Sequence, residues 1–145
     1  MDPHNSHNIL VIDENIEYAP LLEQILGEFF SNMSNVFWLE NKSAVLDFLN
    51  TKTPPTISII LMDIENSNFD GIAVLKQFKD ESSSLKNIPI IIFSRLHEFS
   101  IIRHCFSLGV NSWIQKPTDF QKFQTILEII CEFWLKHTIL PSSLI

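Results

Sequence analysis

Ile57-Ser58-Ile59-Ile60-Leu61-Met62-Asp63 is a nearly unbroken apolar run that ends on a carboxylate. A continuous run of about four to eight apolar residues suits a strand buried on both faces, as in the middle of a parallel sheet. Ile88 to Phe93, ahead of Ser94, repeats the pattern, and Ile9 to Ile12 does so ahead of Asp13 and Glu14. Val36 to Leu39 and Ser112 to Gln115 are mixed in polarity, as edge strands are. Between these runs lie Glu17–Phe30, Lys42–Asn50, Ile72–Lys79, Glu98–Leu108 and Phe120–Lys136, whose spaced apolar positions give each segment one buried helical face. Five strands alternating with five helices predict an α/β protein, a doubly wound five-stranded parallel sheet of (βα)5 type. Thr53-Pro54-Pro55, Ser82 to Ser84 and Gly109 fall between the elements as turn signals.

The 145 residues fit a single domain, with 46% hydrophobic and 19% charged residues arguing against a disordered chain. Met1 to His7 is expected to be a disordered arm, residues 8–136 the domain, and 137–145 a C-terminal tail. A net charge of -7 without a basic run opposes sequence-independent binding to nucleic acid or to an anionic membrane. No apolar run approaches the ~20 residues that cross a bilayer. The polar N-terminus lacks a secretory pattern, so the expected location is the cytoplasm. Cys105 and Cys131 sit in apolar helical patterns and read as free, buried thiols. Three glycines supply neither G-x-G-x-x-G nor a P-loop, which excludes the dinucleotide and nucleotide-binding turns built on those motifs.

In an open parallel sheet, ligands bind beyond the carboxyl ends of the strands. There the sequence puts Asp13 and Glu14, Asp63, Ser94, and Lys116 followed by Pro117. Crowded carboxylates call for a cation, and hard oxygen ligands suit Mg²⁺. An ammonium beside that ion adds a second positive centre for the oxygens of a phosphoryl group. Lys116, at a strand end among carboxylates, reads as present for charge rather than packing, so that its replacement by Ala would leave the fold intact. His104 next to Cys105, with Cys131 far off, matches no zinc spacing. A phosphatase of haloacid-dehalogenase type would need a second Asp two positions after Asp63, where Glu65 stands.

Taken in order, Val11-Ile12-Asp13-Glu14, Leu61-Met62-Asp63, Asp70-Gly71, Ser94, Gly109 to Ile114 and Lys116-Pro117 resemble the receiver domain of two-component response regulators, over Asn8 to Leu135. The resemblance implies a flavodoxin-like strand order 2-1-3-4-5. It implies that Asp63 is the phosphoacceptor and that Asp13, Glu14 and the backbone carbonyl of Glu65 join Asp63 in holding Mg²⁺. Ser94 and Trp113 would be the switch pair and Lys116 the ammonium that grips the phosphoryl group, with Lys116-Pro117 a cis peptide. Asn66-Ser67, Glu65, Arg95 and Trp113 depart from the usual receiver pattern, and Arg95 is placed to shield the phosphoryl group or to pair with Glu65.

Leu-Gly-Val-Asn-Ser from Leu108, Asp119-Phe120 and Phe133-Trp134-Leu135 are similar to small single-domain receivers paired with phytochrome-like histidine kinases. The implied role is a stand-alone phosphoacceptor without an output domain. It would take phosphoryl from a histidine kinase or phosphotransfer protein, with self-phosphorylation and self-dephosphorylation chemistry but no conventional enzyme activity. The rival reading is a phosphorylation-independent interaction module on the same fold. On the last helix Ile126, Ile129 and Phe133 widen the apolar arc beyond what one sheet face covers. They point to a homodimer through the fourth and fifth helices.

Overall fold

The computed structural model describes residues 7–30, 34–65 and 70–143. Five strands, β1 (Asn8–Ile12), β2 (Asn35–Leu39), β3 (Ile59–Met62), β4 (Ile90–Ser94) and β5 (Ser112–Gln115), form one parallel sheet in the order β2-β1-β3-β4-β5. Helices α1 (Ala19–Phe29), α2 (Lys42–Leu49), α3 (Gly71–Phe78), α4 (Phe99–Ser107) and α5 (Phe120–Cys131) cover both faces. This is the expected α/β architecture. Among the described residues no helix is long and apolar enough to cross a membrane.

Side chains alternate along each strand, so the central runs feed two cores at once. Leu10, Ile12, Ile60, Met62, Ile90 and Ile92 pack on Val45, Val74, Leu75, Phe78 and Cys105 of α2, α3 and α4. Ile9, Val11, Ile59, Leu61, Ile91 and Phe93 pack on Leu22, Ile25 and Leu26 of α1 and on Leu127, Ile130 and Cys131 of α5. Each large side chain so buried contributes roughly 1.5–3 kcal/mol. The two-sided burial explains why these runs carry no polar alternation. β2 and β5, at the sheet edges, keep the mixed composition that marks them.

Caps fix where the helices start. Asn41, Asp70 and Asp119 accept backbone N–H groups from the first turns of α2, α3 and α5. The first helical segment opens as a 3-10 turn over Ile16–Tyr18, capped by Asn15, and becomes α-helical only at Ala19, with Pro20 in its first turn. Helix α4 ends in a Schellman arrangement: Val110 N–H bonds the Cys105 carbonyl, Gly109 N–H bonds that of Phe106, and Gly109 takes φ 103°. The last helix does not run α-helical to Lys136. From Glu132 to His137 it is a π-helix, and Thr138 closes it by donating to the Phe133 carbonyl.

Both chain ends depart from expectation. His7, read as the last residue of a loose arm, is buried; its Nδ1 lies 3.1 Å from Ser58 Oγ and its ring meets Phe30 edge-on. Leu140, assigned to the C-terminal tail of residues 137–145, is 3% exposed and belongs to the α1/α5 core. The rest of the arm (1–6), the Asn66-Ser67 loop and the end of the tail (144–145) lie outside the described residues.

Candidate functional site

Backbone pairing continues past the formal strand ends and carries the chemistry with it. Asp13 N–H donates to the Leu39 carbonyl, Asp63 N–H to Ile12 and Lys116 N–H to Ser94. Asp13, Asp63 and Lys116 thereby stand side by side on one edge of the sheet, and all three are buried. Lys116 Nζ donates to Asp13 Oδ2 at 2.6 Å and to Asp63 Oδ2 at 2.7 Å. The other oxygen of each carboxylate closes its own loop, Asp13 Oδ1 accepting Asn15 N–H and Asp63 Oδ1 accepting Glu65 N–H, both at 2.9 Å. One ammonium thus lies between two carboxylates in a buried pocket.

Gly71 keeps the Asp63 loop close to α3. A Cβ there would lie 2.7 Å from the Ile64 carbonyl oxygen, so no larger residue fits without moving the segment that follows Asp63.

The Lys116–Pro117 peptide, expected to be cis, is trans, since no cis bond occurs among the described residues. Trans is the lower-energy isomer of an X–Pro bond by about 0.5–1 kcal/mol. Lys116 reaches both carboxylates without departing from it. Lys116 is buried rather than free at the strand end, which bears on the expectation that its replacement by Ala would leave the fold intact. Its side chain is 5% exposed between two buried acids, so its loss strands them.

The remaining sequence-predicted residues divide. Ser94 is fully buried beside the site, but its Oγ accepts the N–H of Leu96 at 3.1 Å and so closes its own loop. Trp113 is half-buried on the α4 side with Leu96 and Ile101; its indole N–H is enclosed and has no acceptor among the described residues. Glu14 and Glu65 are exposed. Arg95 is exposed and makes no ion pair with Glu65. Ile129 and Phe133 are 53% and 56% exposed, while Ile126 is half-buried against the α1/α5 core. Phe106 on α4 and Phe120 on α5 add further exposed aromatic surface.

Two residues at the site gave no sign in the sequence. Tyr18 Oη donates to Asp13 Oδ2 at 2.7 Å, and Trp38 Nε1 donates to the Asp13 carbonyl at 2.7 Å. Burial above all, then the Asp13 charge and the hydrogen bond to it, with Asp63 adding to them, push the Tyr18 phenol well above its usual range. It therefore keeps its proton and serves as a donor. The Tyr18 ring meets Trp38, Phe123 and Phe93 edge-on at 4.8, 5.1 and 6.2 Å. Lys116 Nζ sits 5.6 Å from the Tyr18 ring centre and 5.9 Å from that of Phe93. Both Tyr18 and Trp38 read as ordinary apolar positions; only their polar tips, each needing a partner once buried, hint otherwise.

Among the described residues no three His, Cys, Asp or Glu side chains gather as a metal cluster. Asp13 and Asp63 are a pair of hard oxygen donors. Mg²⁺ is commonly held by one or two carboxylates and otherwise keeps water, so the pair suits that ion.

Residues 9–128 match the response regulator receiver domain family. FilR2 of Methanothrix harundinacea, a probable methanogenesis regulatory protein, is 29% identical over 130 residues, 88% of this chain and 83% of its own length. Longer transcriptional regulators also match, and the chain spans 26% of their length. The crystal structure of the phosphorylated cyanobacterial phytochrome response regulator RcpA superposes with a TM-score of 0.79 at 25% identity, covering 94% of this chain and 99% of RcpA. The Mn²⁺-bound form of response regulator Rcp1 shares the fold with a TM-score of 0.82 at 23% identity, covering 93% and 99%. Because the family match takes in Asp13, Asp63 and the lysine that joins them, the chain belongs to the response regulator receiver domain family.

Proposed function

We propose that the chain is a phosphoacceptor that takes a phosphoryl group on Asp63 from the phosphohistidine of a histidine kinase or phosphotransfer protein in the cytoplasm. One observation carries this reading: Lys116 Nζ bonds both Asp63 and Asp13 inside a buried strand-end pocket. An isolated carboxylate is a weak nucleophile, and phosphoryl transfer is governed by positioning and charge neutralisation. The Asp63 carboxylate attacks phosphorus in line, the phosphorus–nitrogen bond breaks, and its electron pair leaves with the imidazole. Lys116 is already within reach of Asp63 and pairs with an oxygen of the arriving group. Mg²⁺ would supply charge neutralisation, held by Asp13 and Asp63 with Glu14 and the Glu65 carbonyl alongside. The Mn²⁺ bound by Rcp1 supports a divalent ion as the cofactor.

The phosphoryl state would be read by protein contact, with Ser94 and Trp113 as the switch pair. Exposed Ile129 and Phe133 on the last helix, together with exposed Phe106 on α4, support a homodimer through α4 and α5. A two-fold axis pairs such a patch with itself, and each large side chain covered contributes roughly 1.5–3 kcal/mol. Incubation with Mg²⁺ and acetyl phosphate should add one phosphoryl mass to the wild type and none to Asp63→Asn. A wild type left unmodified by several donors would favour the phosphorylation-independent module. Replacing Ile129 and Phe133 by Glu should give a folded monomer in sedimentation, and a wild type that is itself monomeric at high concentration would remove the dimer.

A further inference from the structure

The carboxylate of Asp13 is unusually crowded. A carboxylate offers about four acceptor positions. Asn15 N–H takes one on Oδ1, while Tyr18 Oη and Lys116 Nζ both take Oδ2. The phenol is the one neutral side-chain donor of the three, and it comes from a separate turn, Ile16–Tyr18, whose shape Asn15 sets. Its ring is fixed by Trp38 and Phe123, and Trp38 also holds the Asp13 carbonyl. The hydrogen bond is therefore enforced from several elements.

We propose that Tyr18 is a positioning residue that competes with the divalent cation for Asp13: by donating to Oδ2 it holds the carboxylate on Lys116 and lowers the affinity of the site for the ion. A donor at 2.7 Å fills an acceptor position and offsets part of the oxygen's negative charge. A cation approaching Asp13 must share that oxygen or displace the phenol. Removing the hydroxyl while keeping the ring restores one acceptor position and leaves the aromatic packing in place. Strengthening the donor does the reverse. The inference rests on the proposed role of Asp13 in holding the metal.

Tyr18 is the single tyrosine of the chain, so tyrosine analogues alter this site alone. Mn²⁺ affinity is measured from the electron paramagnetic resonance signal of the free ion, for the wild type, for Tyr18→Phe and for wild type grown with 3-fluorotyrosine, a stronger phenolic donor. Tyr18→Phe should bind Mn²⁺ roughly three- to tenfold more tightly than wild type, the span of one modest net hydrogen bond. The fluorotyrosine protein should bind more weakly than wild type. The gain from Tyr18→Phe should vanish in an Asp13→Asn background. Equal or weaker binding by folded Tyr18→Phe, or fluorotyrosine tightening the site, would overturn the proposal while leaving the metal site standing. If Tyr18→Phe does not fold, the fluorotyrosine protein alone decides the sign. A wild type that binds no Mn²⁺ would overturn both.

Discussion

Replacing Lys116 by Met tests what the ammonium does for the resting protein. Methionine keeps an apolar stem near the Tyr18 and Phe93 rings, so the change is mainly one of charge. What remains is Asp13 facing Asp63 in a pocket where both are buried and their shared donor, at 2.6 and 2.7 Å, is gone. Removing one partner of a buried ion pair costs about 3–5 kcal/mol. In a domain of this size each kcal/mol moves the melting temperature by roughly 2–4 °C, so Lys116→Met should melt about 6–20 °C below wild type in EDTA. A divalent cation would neutralise the same two carboxylates, so Mg²⁺ should raise the variant's melting temperature more than that of wild type. Asp63→Asn added to Lys116→Met should recover part of the loss by removing one stranded charge. Circular dichroism melts with and without Mg²⁺ read all of these. A folded Lys116→Met that melts within about 2 °C of wild type in EDTA would refute the reasoning, because a shift that small is below the cost of a single buried unpaired charge.

Gly71→Ala should cost about 1–3 kcal/mol in a denaturant melt, since its Cβ would press to 2.7 Å on the Ile64 carbonyl oxygen and push the loop behind Asp63. Leu140→Ala should cost about 2–5 kcal/mol by the same measurement, as for a core leucine rather than a tail residue. Burial, helped by Glu128, pushes the Cys131 thiol up to about 12. Its folded-state value lies above the unfolded one, so the stability it contributes is complete below about pH 9 and is lost as pH rises toward 12. Urea melts across that range should show wild type losing stability more steeply than Cys131→Ala, and Cys131 should resist thiol reagents until the protein unfolds.

The sheet was legible because burial on both faces leaves a strong mark. β1, β3 and β4 carry apolar residues without alternation, and the strand-end rule then located Asp13, Asp63 and Lys116 from their places after the runs. Boundaries were less legible where hydrogen bonding, not polarity, decides them. Pro89 has no N–H, and the ordered strand begins at Ile90, although Ile88 is equally apolar. Ile57 and Ser58 are buried but precede β3, whose register with β1 starts at Ile59 although Ser58 N–H already donates to the Asn8 carbonyl. Tyr18 and Trp38 escaped notice for a different reason. An aromatic residue in an apolar pattern is first a packing element, and only the three-dimensional meeting of the Ile16–Tyr18 turn with β2 sets both polar tips on Asp13.

The site is held unevenly, and this bears on how a signal could leave it. Asp13, Asp63 and Lys116 are joined directly, and Asp13 is further fixed by Tyr18, Trp38 and Asn15. Among the described residues, the Ser94 hydroxyl makes one local bond, accepting Leu96 N–H, besides the backbone pairing of its strand. Breaking such a bond costs on the order of 1 kcal/mol net, well below the cost of parting the buried ion pairs. Trp113, across the β4–β5 ladder from Ile92, has an enclosed indole N–H with no acceptor among the described residues, so a rearrangement that supplied one would recover about 1–3 kcal/mol against its own cost. The acidic centre is therefore the more heavily hydrogen-bonded part and the Ser94–Trp113 side the less. In the proposed role, a phosphoryl group on Asp63 would face more side-chain bonds on the Asp13 side than on the side of β4, β5 and α4. That is also the side on which Phe106 stands exposed.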